Sequence, residues 1–330
     1  MPIRRRLSAF QPFLWAWMFV LIIGVLGALI QFRRSSNLLG QEANFVTPAP
    51  APAEDPLLFI GSELPTPTIT RQALWIYDRA SGSILYEKNA DTATSVASLA
   101  KLMTAFVAYE TYNLSDTVGV GAGSLAEGNR AKFLSTDVFT VRDLLQALLM
   151  FSANDAAEAL ALGVPNGGVA EFVTQMNNRA EELGLEQTHF QNVTGLDHPE
   201  QYSSAHDIGR LVDTFLQTPF FSQTVRQQVA TVTEQLTGRQ DTIYTTNTML
   251  YRGAQFTGVK TGTTELAGQS LVLRLEDTWS IPVATAGGQL VDTPVDIILV
   301  FLGSQDRYLD ADRLTTWLEQ IVRLRKNSVS

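Results

Sequence analysis

Three kinds of apolar spacing succeed one another along the chain. The first is unbroken. From Leu7 to Phe32 there is no charged residue, and the body of this run, "PFLWAWMFVLIIGVLGALI", is 19 residues long, enough at helical rise to cross a hydrocarbon layer of about 30 Å. The second is short and β-rich. "ALWIYD" (73–78) and "SILYEK" (83–88) flank the turn "RASG" and predict an N-terminal hairpin, while "FTGVKTG", "QSLVLRLE" and "DIILVFLGS" predict strands near the other end. The third repeats at helical spacing. A long helical region is predicted from Ser98 to about Leu216, containing "VRDLLQALLMFSANDAAEALAL" and "VAEFVTQMNNRAEELGL", and "RLTTWLEQIVRLRK" predicts a closing helix. Strands at both ends with helices between them predict an α/β (α+β) fold. One antiparallel sheet is assembled from both chain ends and flanked by helices, with a mainly helical subdomain inserted in the middle.

The flanks of the apolar run decide what it is. Arg4, Arg5 and Arg6 precede it, Arg33 and Arg34 follow it, and it is too long for a cleavable leader and lacks a small-x-small cleavage site. Residues 1–34 therefore read as a cytoplasmic N-terminus and an uncleaved transmembrane signal-anchor, its greater positive charge on the inside and the rest of the chain outside the bilayer. Residues 35–68 hold six of the thirteen prolines, "TPAPAPAEDP" among them, and read as an extended linker. The folded domain is expected at 69–325.

Beyond residue 34 the chain has 19 basic residues against 33 acidic ones, a formal charge of −14, which excludes a nucleic-acid binder. Without cysteine there are no disulfides, thiolate metal sites or cysteine nucleophiles. The three histidines, His189, His198 and His206, make no convincing ligand set or triad, and neither metal nor cofactor is expected.

One helix carries an oddity. In "SVASLAKLMTAFVAYE" the only charge between Leu99 and Tyr109 is Lys101, while Leu99, Leu102, Met103, Phe106 and Val107 spread a broad apolar arc around it. Such a lysine snorkels through its stem or serves chemistry that needs an unprotonated amine. Ser98 stands three residues earlier on the same face. Alone, Ser-x-x-Lys also reads as an N-cap serine and a snorkelling lysine. "SAND", with Ser152, Asn154 and Asp155, likewise fits a helix capping box. Lys260-Thr261-Gly262, followed by Thr263, is the most specific of the three. Ser-x-x-Lys, then Ser-x-Asn, then Lys-Thr-Gly, in that order, is the signature of penicillin-binding proteins and serine β-lactamases.

The resemblance runs well past the motifs. "SANDAAEALA", "MNNRAEELGLEQTHFQNVTGLD", "QYSSAHDIGRLV", "TGVKTGTTELAGQSLV" and "VFLGSQDRYLDADRL" resemble the low-molecular-mass D-alanyl-D-alanine carboxypeptidases of bacterial cell-wall metabolism, over Ile69 to Trp317. Three positions depart from the family pattern, at Val96, Ala100 and Thr257, and none removes a reactive group. The C-terminal β-domain frequent in the family has no counterpart here, so the N-terminal span is expected to supply the anchor. The resemblance implies a serine peptidase in which Ser98 is the nucleophile, Lys101 its base and Ser152 a proton relay. It further implies that Asn154, Lys260, Thr261, Gly262 and Thr263 bind a stem peptide ending in D-Ala-D-Ala, with the Ser98 and Thr263 N–H groups as oxyanion hole, and that β-lactams acylate the same serine. A D,D-endopeptidase, a β-lactamase and a non-catalytic penicillin- or peptidoglycan-binding sensor stand as alternatives. No Glu-x-x-x-Asn lies between Asn154 and Lys260, which counts against a class A β-lactamase. The implied location is the bacterial cell membrane, single-pass, with the catalytic domain extracytoplasmic.

Overall fold

The computed structural model describes residues 73–164, 168–282 and 290–328. The expected signal-anchor and linker lie outside the described residues. Among the described residues no helix is long and apolar enough to cross a membrane. In chain order the structure opens with β1 (Ala73–Asp78) and β2 (Ser83–Lys88), then a short 3-10 turn (Ala97–Ala100) leading into α1 (Lys101–Thr111). β3 (Thr117–Gly119) and β4 (Val138–Thr140) follow, with α2 (Val141–Gln146), α3 (Asn154–Leu162), α4 (Gly168–Glu182), α5 (Ala205–Leu216) and α6 (Pro219–Thr224). The chain then forms β5 (Val229–Thr233), β6 (Gln240–Tyr244), β7 (Phe256–Thr264), β8 (Gly268–Pro282), β9 (Leu290–Ser304) and α7 (Arg307–Ser328).

The main sheet has the order β2-β1-β9-β8-β7, every neighbouring pair antiparallel. It is built from both chain ends, as the spacing of the β-rich runs predicts. Side-chain alternation sorts its strands between two cores. Trp75, Val259, Val272, Ile298 and Val300 face the helical lobe. Leu74, Ile76, Leu273, Ile297 and Leu299 face α7 through Leu314, Trp317 and Leu318. A sheet covered on both faces needs near-continuous apolar strands, which is why "ALWI" and "DIILVFL" show little alternation.

The lobe between the chain ends is less uniformly helical than its spacing predicts. Within 98–216 it carries the small antiparallel sheet β3–β4 and the irregular segment between α4 and α5, and a second small sheet, β5–β6, follows beyond that region. The last two strands of the main sheet also run longer than "QSLVLRLE" and "DIILVFLGS", pairing from Gln269–Ser304 out to Pro282–Leu290 as a long hairpin. Within the lobe α1 is the central element, buried from Lys101 through Ala108. That burial is what its nearly all-round apolar surface requires.

Candidate active site

Ser98 sits half-buried in the 3-10 turn that precedes α1. It does not cap the helix: Val96 and Ala100 occupy the flanking positions, and neither makes a side-chain cap. The turn is held unusually, with Ala97 at a positive φ of 50°. Gly262 of β7 packs against it, and a Cβ there would come within 3.0 Å of the Val96 carbonyl oxygen and 3.2 Å of the Ser98 nitrogen. Gly195 presses from another side, where a Cβ would overlap the Ala97 carbonyl.

Lys101 does not snorkel, and among the described residues it makes no ion pair. It is fully buried, and its Nζ lies 3.0 Å from Ser98 Oγ and also donates to the Thr194 carbonyl. Burial pushes its pKa down from 10.5 to about 7, against a weaker upward pull from Glu158 and Asp155. At neutral pH the amine is thus divided between its charged and neutral forms.

"SAND" proves not to be a capping box. After α2 the chain makes a widened turn over Ala147–Phe151, with the Ala153 N–H reaching back to the Ala147 carbonyl at 3.2 Å. Ser152 then adopts a left-handed conformation at φ 66°, and α3 begins at Asn154 with Ala153 as its N-cap. Asp155, free of the capping role, accepts from the backbone N–H groups of Ala131 (3.1 Å), Lys132 (2.9 Å) and Phe133 (3.2 Å). Ser152 Oγ is buried without a hydrogen-bond partner among the described residues. The Asn154 amide nitrogen donates to the Glu127 carbonyl.

On β7, Lys260 is buried and its Nζ donates to the Thr261 carbonyl at 3.1 Å. Burial holds its pKa well below the usual lysine value, and the charges of Lys101 and Arg307 push the same way. Thr261 Oγ1 shares a hydrogen bond with Thr246 Oγ1 at 2.7 Å. Thr263 is exposed, and its hydroxyl oxygen accepts from Arg307. Arg307, the first residue of α7, also donates to the carbonyls of Gly262 (2.9 Å) and Ser270 (3.0 Å). In an otherwise acidic domain, Arg307 thus brings a guanidinium to the end of β7 beside Thr263, an arrangement suited to an anionic group.

Sequence reasoning did not single out Thr194, Thr246 or Arg307. The stretches around Thr194 and Arg307 stood out as family-like, but a backbone carbonyl has no residue signature, and an arginine at a helix start reads as a solvated one. The histidines lie in separate contacts: His189 with the Glu200 carbonyl, His198 with the Glu200 N–H, and His206 with Asp91.

A family model described as D-alanyl-D-alanine carboxypeptidase matches residues 62–285. The chain is 31% identical to the D-alanyl-D-alanine carboxypeptidase DacC of Escherichia coli, over 76% of this chain and 62% of the relative. It is 30% identical to the D-alanyl-D-alanine endopeptidase of the same organism, over 77% of this chain and 78% of that protein. The crystal structure of the Streptomyces K15 DD-transpeptidase superposes with a TM-score of 0.68 at 28% identity, covering 78% of this chain and all of the other. The chain spans about 60% of the length of the first curated carboxypeptidases it matches.

Proposed function

Since the chain belongs to the D-alanyl-D-alanine carboxypeptidase family of serine peptidases, we propose that it removes the terminal D-alanine from peptidoglycan stem peptides through a Ser98 acyl-enzyme. The observation that carries this reading is the buried Lys101 amine 3.0 Å from a serine hydroxyl, beside a strand edge bearing Lys260, Thr261 and Gly262. A serine hydroxyl is a weak nucleophile until a base takes its proton. An amine with a pKa of about 7 is poised for that transfer at neutral pH.

Ser98 attacks the carbonyl of the penultimate D-alanine and its proton passes to Lys101. The negative charge developing on the carbonyl oxygen is met by the N–H groups of Ser98 and Thr263. Ser152 carries a proton to the leaving amine, whose departure as D-alanine breaks the peptide bond and leaves the ester, and water then hydrolyses that ester. The hydroxyls of Thr261 and Thr263 donate to the substrate's terminal carboxylate, with Arg307, which donates to Thr263 and to the Gly262 carbonyl, supplying positive charge behind them and the Lys260 amine supporting the strand through the Thr261 carbonyl. Asn154 has its amide nitrogen engaged by Glu127, so its carboxamide oxygen is the group that accepts a substrate N–H. Gly262 lets the substrate backbone lie along the edge of β7. β-Lactams acylate Ser98 by the same attack. The N-terminal span anchors the chain in the bacterial cell membrane with this domain outside.

A second reading, D,D-endopeptidase, draws on two relatives so named, covered over 78% and 76% of their length, against 62% and 57% for the carboxypeptidases DacC and DacD and 88% for the Streptomyces carboxypeptidase. Turnover by the full chain in detergent separates the two. Release of free D-alanine from a stem pentapeptide, with a cross-linked dimer cut far more slowly, supports the carboxypeptidase. The opposite preference supports the endopeptidase.

A further inference from the structure

The acceptor that holds Lys101 is itself built from outside the three motifs. The segment between α4 and α5 turns tightly at Asn192–Leu196, and the Asn192 carboxamide is its hub. Asn192 Oδ1 accepts from Thr194 N (3.2 Å), Thr194 Oγ1 (3.0 Å) and Gly195 N (2.7 Å), and Nδ2 donates to the Leu196 carbonyl (3.0 Å). Gln201 reinforces the hub, accepting from the Gln191 and Asn192 N–H groups (3.1 and 3.0 Å) and donating to the Leu196 carbonyl (2.9 Å). Thr104 of α1 clamps the same segment from below by donating to the Val193 carbonyl at 2.7 Å. Gly195, at φ 80°, lets this segment lie directly on the Ala97 carbonyl. The Thr194 carbonyl is thereby fixed with respect to both α1 and the Ser98 turn.

We propose that Asn192 is a positioning residue for the base, its carboxamide fixing the Thr194 carbonyl that aims the Lys101 amine at Ser98. The inference rests on the proposed acyl-transfer reading of the site. A neutral amine has two N–H bonds and one lone pair. When one N–H is committed to the Thr194 carbonyl, rotation about the Cε–Nζ bond is restricted and the lone pair can settle on the Ser98 hydroxyl. The Ser98 proton then moves to Nζ as the Oγ–carbonyl bond forms, giving an ammonium that keeps its bond to Thr194. An amine without that acceptor is free to turn its lone pair away. The same carbonyl favours the ammonium over the amine, so losing it lowers the pKa of Lys101.

The test is the rate at which a fluorescent penicillin acylates the full chain in detergent, followed from pH 5 to 10 for the wild type, Asn192→Leu and Asn192→Asp. Glu158 and Asp155 on α3 and Lys260 on β7 are the charged groups facing Lys101, and all three are common to the variants. Asn192→Leu is expected to lower the high-pH plateau by roughly tenfold or more, the scale of a lost hydrogen bond to a charged group, and to move the midpoint to lower pH. Asn192→Asp keeps the acceptor oxygen but exchanges the Nδ2 donor to the Leu196 carbonyl for a second oxygen, so it is expected to lower the plateau less than Asn192→Leu does, while its added negative charge moves the midpoint to higher pH. A purely structural brace would lower the melting temperature and leave plateau and midpoint where they are, and that result overturns the proposal. If Asn192→Leu does not fold, Asn192→Ala takes its place, and a plateau and midpoint at the wild-type values overturn the proposal. A wild type that is not labelled at Ser98 removes the acyl-transfer reading and this inference together. Labelling at Ser98 with indifferent Asn192 variants removes only the inference.

Discussion

Lys101 ties stability and activity to the same proton. Its pKa falls from 10.5 in the unfolded chain to about 7 in the folded one, so between those pH values the unfolded state binds more protons and stability rises with pH. Below about 7 both states are charged and the burial cost is present in full. Lys101→Met removes this titration. The wild type is therefore expected to gain on the variant by up to about 1.4 kcal/mol per pH unit between pH 7 and 10, measured by denaturant unfolding at several pH values. Some rise with pH persists in the variant, because the pKa of Lys260 is lowered in the same direction. Acylation by penicillin should increase with pH through a midpoint near 7 in the wild type and vanish in Lys101→Met. A variant that still acylates at the wild-type rate removes Lys101 from the role of base.

At the scale of elements, the site depends on two close approaches to the Ser98 turn and on one carboxylate. Gly195→Ala places a Cβ against the Ala97 carbonyl at a φ of 80°. It should destabilise the fold by about 2 kcal/mol or more and slow acylation of whatever remains folded. Asp155→Ala leaves the Ala131, Lys132 and Phe133 N–H groups without their acceptor, for an expected loss of about 3 kcal/mol in urea unfolding. Legibility differed between these elements for physical reasons. The inner strands β1 and β9 and the buried α1 announce themselves by near-continuous apolar residues, because both faces of the sheet there and all sides of the helix are covered. "SAND" misleads when taken alone, because Ser-x-x-Asp fits a capping box wherever it occurs. Only the backbone shows that Ser152 is left-handed and that Asp155 serves the 131–133 loop instead. The Thr194 carbonyl and Arg307 were illegible as site members, since their place beside Lys101 and β7 comes from contacts 93 and 44 residues apart in sequence.

Over the whole molecule, an acidic domain places the Arg307 guanidinium at the end of β7, beside the turn that carries Ser98. This fits a substrate that brings a carboxylate to the edge of β7. The uncharged run Leu7–Phe32, bracketed by arginines, is expected to keep the chain in the membrane fraction after a high-salt wash. N-terminal sequencing of the mature protein should begin at or next to Met1, and a start near residue 35 or 45 contradicts the anchor. The central claim, that Ser98 is the nucleophile of a penicillin-sensitive acyl transfer, is tested most directly by intact-mass and peptide mapping of the full chain after incubation with benzylpenicillin. The account predicts a single adduct of one penicilloyl group on the peptide bearing Ser98, absent from Ser98→Ala. An adduct that survives Ser98→Ala, or one that maps to another residue, contradicts it.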